Sequence, residues 1–136
     1  MEKSSLQDII KSSPVLVHKE RYAYLRTNQV PAGEHFVIAK DADEVTVVTP
    51  EQQVAKVQYT AIEKWFTLIE IRVTKPFSGP GFIAGITNAI AEKDIDVLIV
   101  STFSKDYVLV RQDDTAITVE ALRKLGFLVE YSTSQN

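Results

Sequence analysis

The chain has 136 residues, enough for one full domain or two very small ones, and its 45% hydrophobic and 24% charged content is that of an ordinary soluble globular protein. A net charge of −3 argues against a general nucleic-acid binder, which needs a basic face to neutralise phosphates. The absence of cysteine removes disulfide frameworks, thiolate metal sites and cysteine nucleophiles.

Residues 1–13 are polar apart from Leu6, Ile9, Ile10 and the initiator, and fit either a frayed helix or a tail. They hold no apolar core of signal-peptide length, and no apolar run approaches the roughly 18–20 residues of a membrane span, so a cytoplasmic protein is expected. Pro14-Val15-Leu16-Val17-His18 reads as a short strand and Arg21-Tyr22-Ala23-Tyr24-Leu25-Arg26 as a second, rich in β-formers. Residues 28–33, with Pro31 and Gly33, read as a loop or one helical turn. Phe36-Val37-Ile38-Ala39 and Val45-Thr46-Val47-Val48-Thr49 flank a polar turn and predict a hairpin; Pro50 opens one helical turn. Residues 57–65 mix strand formers with a helix-like Ile62, Trp65, Phe66 spacing and are read mainly as strand.

In residues 67–73, Ile69, Ile71 and Val73 alternate with Glu70 and Arg72, the period of a half-buried strand. Gly79 and Pro80 fit the N-cap and first position of a helix. Ile83, Ile86 and Ile90, with Ala89 beside them, form its apolar stripe, and Asp94-Ile95-Asp96 ends it. Val97-Leu98-Ile99-Val100 has the continuous apolar character of a central strand. A turn at Ser104-Lys105-Asp106 returns the chain into Tyr107-Val108-Leu109-Val110. Asp113 or Asp114 caps a second helix carrying Ile117, Ala121, Leu122 and Leu125, Gly126 closes it, and Phe127-Leu128-Val129 is the last strand.

The second half is therefore β-α-β-β-α-β, the ferredoxin-like order. The first half repeats it imperfectly: residues 36–51 lay on 97–112 without gaps, but the segment before that hairpin has lost its helix. The glycine-bearing loop ahead of the helix can offer backbone N–H groups to a small anion such as a carboxylate, or simply permit a tight turn.

Three segments carry a resemblance to a known family. They are Pro76-Phe77-Ser78-Gly79-Pro80-Gly81, the run from Ala89 to Val97, and Ser101-Thr102-Phe103-Ser104-Lys105-Asp106-Tyr107 with the strand after it. Together they resemble the ACT domain family, above all small proteins with two tandem ACT-like units, a subtype shared with cellular arginine sensors and, more distantly, aspartate kinase regulatory regions. The resemblance implies an α+β fold of two tandem ferredoxin-like units with antiparallel sheets and helices on one face. The first unit, degenerate, spans residues 14–64; the complete second unit spans 65–131.

It further implies a non-enzymatic regulatory protein that binds an amino acid where ACT units pair, in a homodimer without cofactor, nucleic acid or membrane. Phe77, Ser78, Gly79, Pro80 and Gly81 would meet the ligand carboxylate through backbone donors. Asp106 would accept from an amino group, and Thr102 and Phe103 would line the site. The first half has no counterpart of that loop.

Other readings of these residues stand beside that one. Asp106 can instead serve the hairpin turn by bonding its own backbone. An ACT dimer that has lost its ligand is the alternative function. A small enzyme on the same scaffold would need a cluster of titratable groups, which the sequence does not show. His18 and His35 lack further metal ligands. Asp94 and Asp96 fit helix-end solvation better than acid–base chemistry. Asp41, Asp43 and Glu44 fit a solvated turn better than a calcium loop. Trp65 and Phe66 fit buried packing better than a ligand stack. Tyr22, Tyr24 and Phe36 raise an RNA-binding sheet, but the basic aromatic motif of such sheets is missing.

Overall fold

A computed structural model of the protein describes residues 5–73 and 80–133. Along the chain these form α1 (Leu6–Ser12), β1 (Val15–Thr27), β2 (Val37–Lys40), β3 (Val45–Pro50), α2 (Glu51–Val54) and β4 (Ala61–Arg72). Then follow α3 (Phe82–Ala91), β5 (Leu98–Ser101), β6 (Lys105–Arg111), a 3-10 turn over Gln112–Asp114, α4 (Thr115–Leu125) and β7 (Val129–Tyr131). The class is α+β, with antiparallel ladders joining β1 to β3, β2 to β3 and β5 to β6, and one parallel pairing, β1 with β7.

Two compact units divide the chain, one of residues 1–19 with 67–136 and the other of residues 20–66. They are interleaved, whereas the sequence reading set two units in succession. The cause lies in β1 and β4. Each is a single strand where the sequence pattern suggested two; in β1 the charged stretch Lys19-Glu20-Arg21 interrupts the apolar pattern without any glycine or proline to end the extended backbone.

In the larger unit the strand order is β7-β1-β4-β6-β5. The first residues of β1 lie between β7 and β4: Val15 pairs with Val129 and Val17 with Tyr131, and the Arg72 N–H donates to the Pro14 carbonyl at 3.0 Å. The chain from β4 to β7 thus takes an extra strand from the N-terminus into its sheet. Val15, Val17, Ile69, Ile71, Val108, Val110 and Val129 alternate onto one face. Phe82, Ile86 and Ile90 of α3, Val119 and Leu122 of α4, and Ile9 and Ile10 of α1 complete that core. Phe82 and Phe127 meet edge to face with centroids 5.8 Å apart.

Several details differ from the sequence reading. β5 is an edge strand, paired to β6 alone among the described strands, and its apolar residues are only half-buried. On α4 the buried residues are Thr118, Val119, Ala121 and Leu122, while Ile117 is 46% exposed. Thr118 is admitted to the core because its hydroxyl donates back to the Asp114 carbonyl at 2.8 Å. Asp114 is the N-cap residue, though its side chain makes no capping bond. Gly126, with φ +112°, ends the helix in the left-handed region.

Leu6–Ser12 is a helix. Ser5 caps α1 by accepting from the Asp8 N–H at 3.1 Å, and Gln7 Nε2 donates to the Leu125 carbonyl at 3.2 Å.

In the smaller unit the order is β2-β3-β1-β4 around Ala23, Leu25, Val45, Val47 and Val57, with Trp65 packed against them. Residues 28–36 carry no helix. His35 ties that segment down: its Nε2 donates to the Ala32 carbonyl (2.9 Å), and its Nδ1 shares a hydrogen bond with the Thr49 hydroxyl (2.8 Å). Asp41 Oδ1 accepts from the N–H groups of Asp43 and Glu44, an Asx turn that holds its carboxyl below the usual range. Tyr22 is buried and lies edge-on to Phe36; Tyr24 contacts Phe66. The Arg21 guanidinium sits 4.3 Å from the Trp65 ring centroid. β4 begins at Ala61, later than the sequence reading placed it, because Val57 is buried in the turn after α2.

Candidate functional site

The larger unit holds a cleft of about 420 Å³ where the start of α3 faces the β5–β6 hairpin. Its geometry begins at Gly81. The sequence placed the helix start at Gly79 and Pro80, but the N-cap is Gly81, with φ +88°. A left-handed residue cannot join the right-handed helix, so α3 begins at the next residue, Phe82, and the Gly85 N–H donates to the Gly81 carbonyl at 2.8 Å. Crowding does not explain this glycine. A Cβ there would find Leu6 Cδ2 at 3.9 Å, an ordinary contact. What only glycine readily supplies is the backbone angle.

The hairpin forms the opposite wall. Its turn comes two residues earlier than expected, with the Thr102 N–H donating to the Lys105 carbonyl at 2.9 Å and β6 starting at Lys105. That shift places Ser101 and Asp106 directly opposite each other across the ladder. Ser101 Oγ donates to Asp106 Oδ1 at 2.7 Å. The carboxylate is thus held by a side chain on the neighbouring strand. Among the described residues neither Lys105 nor Asp106 belongs to an ion pair. Phe103, at the tip, is 81% exposed.

Pro80, Gly81, Thr102, Phe103 and Asp106, five of the residues singled out by sequence, all line this one cleft. Phe77, Ser78 and Gly79 lie outside the described residues. The structure adds Ile9 from α1, Val73 after β4, and Ser101 and Lys105 from the hairpin. Ile9 was within reach of sequence reasoning: Ser5 and Asp8 are a helix-start pattern, and Leu6, Ile9 and Ile10 keep helical spacing. Among the described lining residues the polar side chains come from the hairpin, which also supplies Phe103, and the other apolar ones from α1, Val73, Pro80 and α3.

A second cluster surrounds Glu70, which is only 5% exposed. Its Oε1 lies 2.9 Å from His18 Nε2, and its Oε2 accepts from Arg72 Nε at 2.6 Å. Burial pushes this carboxyl up, but the hydrogen bonds and charges of Arg72 and His18 outweigh burial and hold it below its ordinary value. Burial, then the Glu70 charge, pushes the neighbouring Tyr107 phenol up. Among the described residues no three His, Cys, Asp or Glu side chains group as metal ligands. No helix among them is long and apolar enough to cross a membrane.

Comparison with known proteins followed the same lines. The family model described as the ACT domain matches residues 63–124. No curated protein matches the sequence. Protein Atu0741 of Agrobacterium tumefaciens has a similar structure, with TM-score 0.74, 19% identity and coverage of 91% of this chain and 96% of that one. Protein VC0802 of Vibrio cholerae, described as a possible transport protein, gives TM-score 0.73 at 16% identity over 89% and 95% of the two chains. The ligand-free regulatory subunit of aspartate kinase from Thermus thermophilus gives 0.63 at 9% identity over 85% and 98%. At these identities the likeness is one of fold.

Proposed function

We propose that this protein is a non-catalytic regulatory module that binds an amino acid in the cleft between the start of α3 and the β5–β6 hairpin. The observation that supports this most is convergence. Five residues singled out for their resemblance to the ACT pattern, from segments some twenty residues apart, line one cleft, the carboxylate-bearing Asp106 among them. A volume of about 420 Å³ suits a ligand of this size. The match of residues 63–124 to the ACT domain and the fold shared with an aspartate kinase regulatory subunit favour the same reading.

In this reading Asp106 receives the ligand ammonium, and Thr102 and Phe103 flank it. A second copy of the chain covers the exposed Phe103 ring beside the cleft. Occupancy then favours one packing of the two copies, and a partner enzyme or transporter responds to that state. A regulatory module works by such a population shift and needs no nucleophile or general base.

A thermal-shift screen of the twenty amino acids against wild type and Asp106→Ala tests this. A ligand at about 100 times its dissociation constant stabilises the fold by roughly 2.7 kcal/mol. One or a few amino acids are expected to raise the melting temperature of wild type and not of a folded Asp106→Ala. A flat response to all twenty sinks the proposal.

A further inference from the structure

The apolar side of the cleft is built partly by a helix outside the segment that matches the ACT domain. Ile9 of α1 lines the cleft, and Leu6 of the same helix flanks Gly81. α1 is not a loose tail. Gln7 ties it to the last turn of α4, Ile9 and Ile10 are buried in the core, and the chain passes through Pro14 into the sheet, where the Pro14 carbonyl accepts from Arg72. Val73, Phe82 and Ile83 extend the apolar side, and among the described residues no charged side chain from α1, β4 or α3 lines the cleft. Among the described lining residues the charged ones, Lys105 and Asp106, lie on the hairpin, and strand alternation puts the Asp106 side chain on the face it shares with Val108 and Val110.

An amino acid carries one positive and one negative group on its head. The Asp106 carboxylate matches the ammonium of that head, which leaves the side chain to the wall of Ile9, Val73, Phe82 and Ile83. A lysine, arginine or glutamate side chain there would give up its hydration with no further counter-charge among the described lining residues. Resting on the amino-acid reading above, we infer that the ligand has an aliphatic side chain of the size of valine, leucine or isoleucine, and that Ile9 of α1 is the residue that measures its length. Ligand contact with Ile9 also holds α1 against the cleft, so occupancy steadies the N-terminal helix.

Isothermal titration of the full chain with valine, leucine, isoleucine, phenylalanine, lysine and glutamate separates the outcomes. The expected result is binding of an aliphatic amino acid at least about tenfold tighter than lysine or glutamate, the discrimination a shaped apolar pocket can provide. Tightest binding of a charged or aromatic amino acid overturns the inference while leaving the amino-acid reading intact. Binding of none overturns that reading itself. Ile9→Val removes one methyl from the wall and is expected to shift the ratio of leucine to valine affinity several-fold towards leucine. A change in fold stability alone would move both affinities together, so an unchanged ratio overturns the role of Ile9. Hydrogen exchange on wild type provides a readout independent of any variant: the tightest-binding amino acid should slow exchange at the Ile9 and Ser13 amides, which donate within α1 to Ser5 and Ile10. Unchanged exchange there contradicts the steadying of α1.

Discussion

Glu70 shows how one residue couples burial to charge. Its carboxylate is buried, yet both oxygens are engaged, one by His18 and one by Arg72. Because its folded pKa lies below the unfolded value of about 4.5, the ionised form stabilises the fold above that value, and the contribution fades as pH falls through the depressed folded pKa. Glu70→Gln is therefore expected to cost roughly 1–3 kcal/mol at pH 7 in urea unfolding, with the gap to wild type narrowing below pH 4.5. A gap that widens on acidification would contradict this sign. Two glycines four residues apart should respond in opposite ways. Gly81→Ala forces a side chain onto φ +88° and should cost about 1–2 kcal/mol. Gly85→Ala lies in a helix with open space and should add about 0.5–1 kcal/mol. Both are measurable by denaturant unfolding. At this scale sequence named Gly81 and Asp106 but misjudged their settings. Nothing local shows that Gly81 turns left-handed, or that the hairpin turn closes at Thr102 and frees Asp106 to bond Ser101.

Elements were legible wherever periodicity was strong. The Ile86 and Ile90 stripe of α3, the alternation of β4 and the β2–β3 hairpin all appear as the pattern indicated. Errors arose where one residue of phase decides the outcome. Counting α4 from Asp113 put Ile117 inside, but the 3-10 turn at Gln112–Asp114 delays the helix and turns Thr118 and Val119 inward. Ile86→Ala should thus cost about 2–5 kcal/mol and Ile117→Ala less than about 0.5, compared by thermal or urea unfolding. Equal losses at the two positions would contradict the helix phase. β5 misled for another reason. An apolar run of four looks the same in a central strand and in an edge strand, and only the strand order separates them.

At the scale of the molecule, the arrangement least visible in the sequence is the recruitment of residues 1–19 into the unit formed by 67–136. No local signal states that Val15 and Val17 pair in parallel with a strand more than a hundred residues away. The consequence is testable. A fragment of residues 65–131, the extent that the family resemblance implies for a complete unit, lacks Ile9, Ile10, Val15 and Val17 of the core. It should show no cooperative thermal transition by circular dichroism, whereas the full chain should unfold cooperatively; cooperative unfolding of the fragment would mean the N-terminal strand is dispensable. The proposed regulation also lives at this scale, since a ligand that steadies α1 acts on the segment that leads into β1.

The most direct measurement is an amide NMR titration of the full, isotope-labelled chain with amino acids. Binding at the cleft predicts that the largest shifts fall on Gly81, Phe82, Ile83 and Ala84 and on Ser101 to Asp106, with Ile9 following. Shifts confined to the smaller unit, for example around the polar hollow of Asn28, Gln29 and Tyr59, or no shifts with any amino acid, would contradict it.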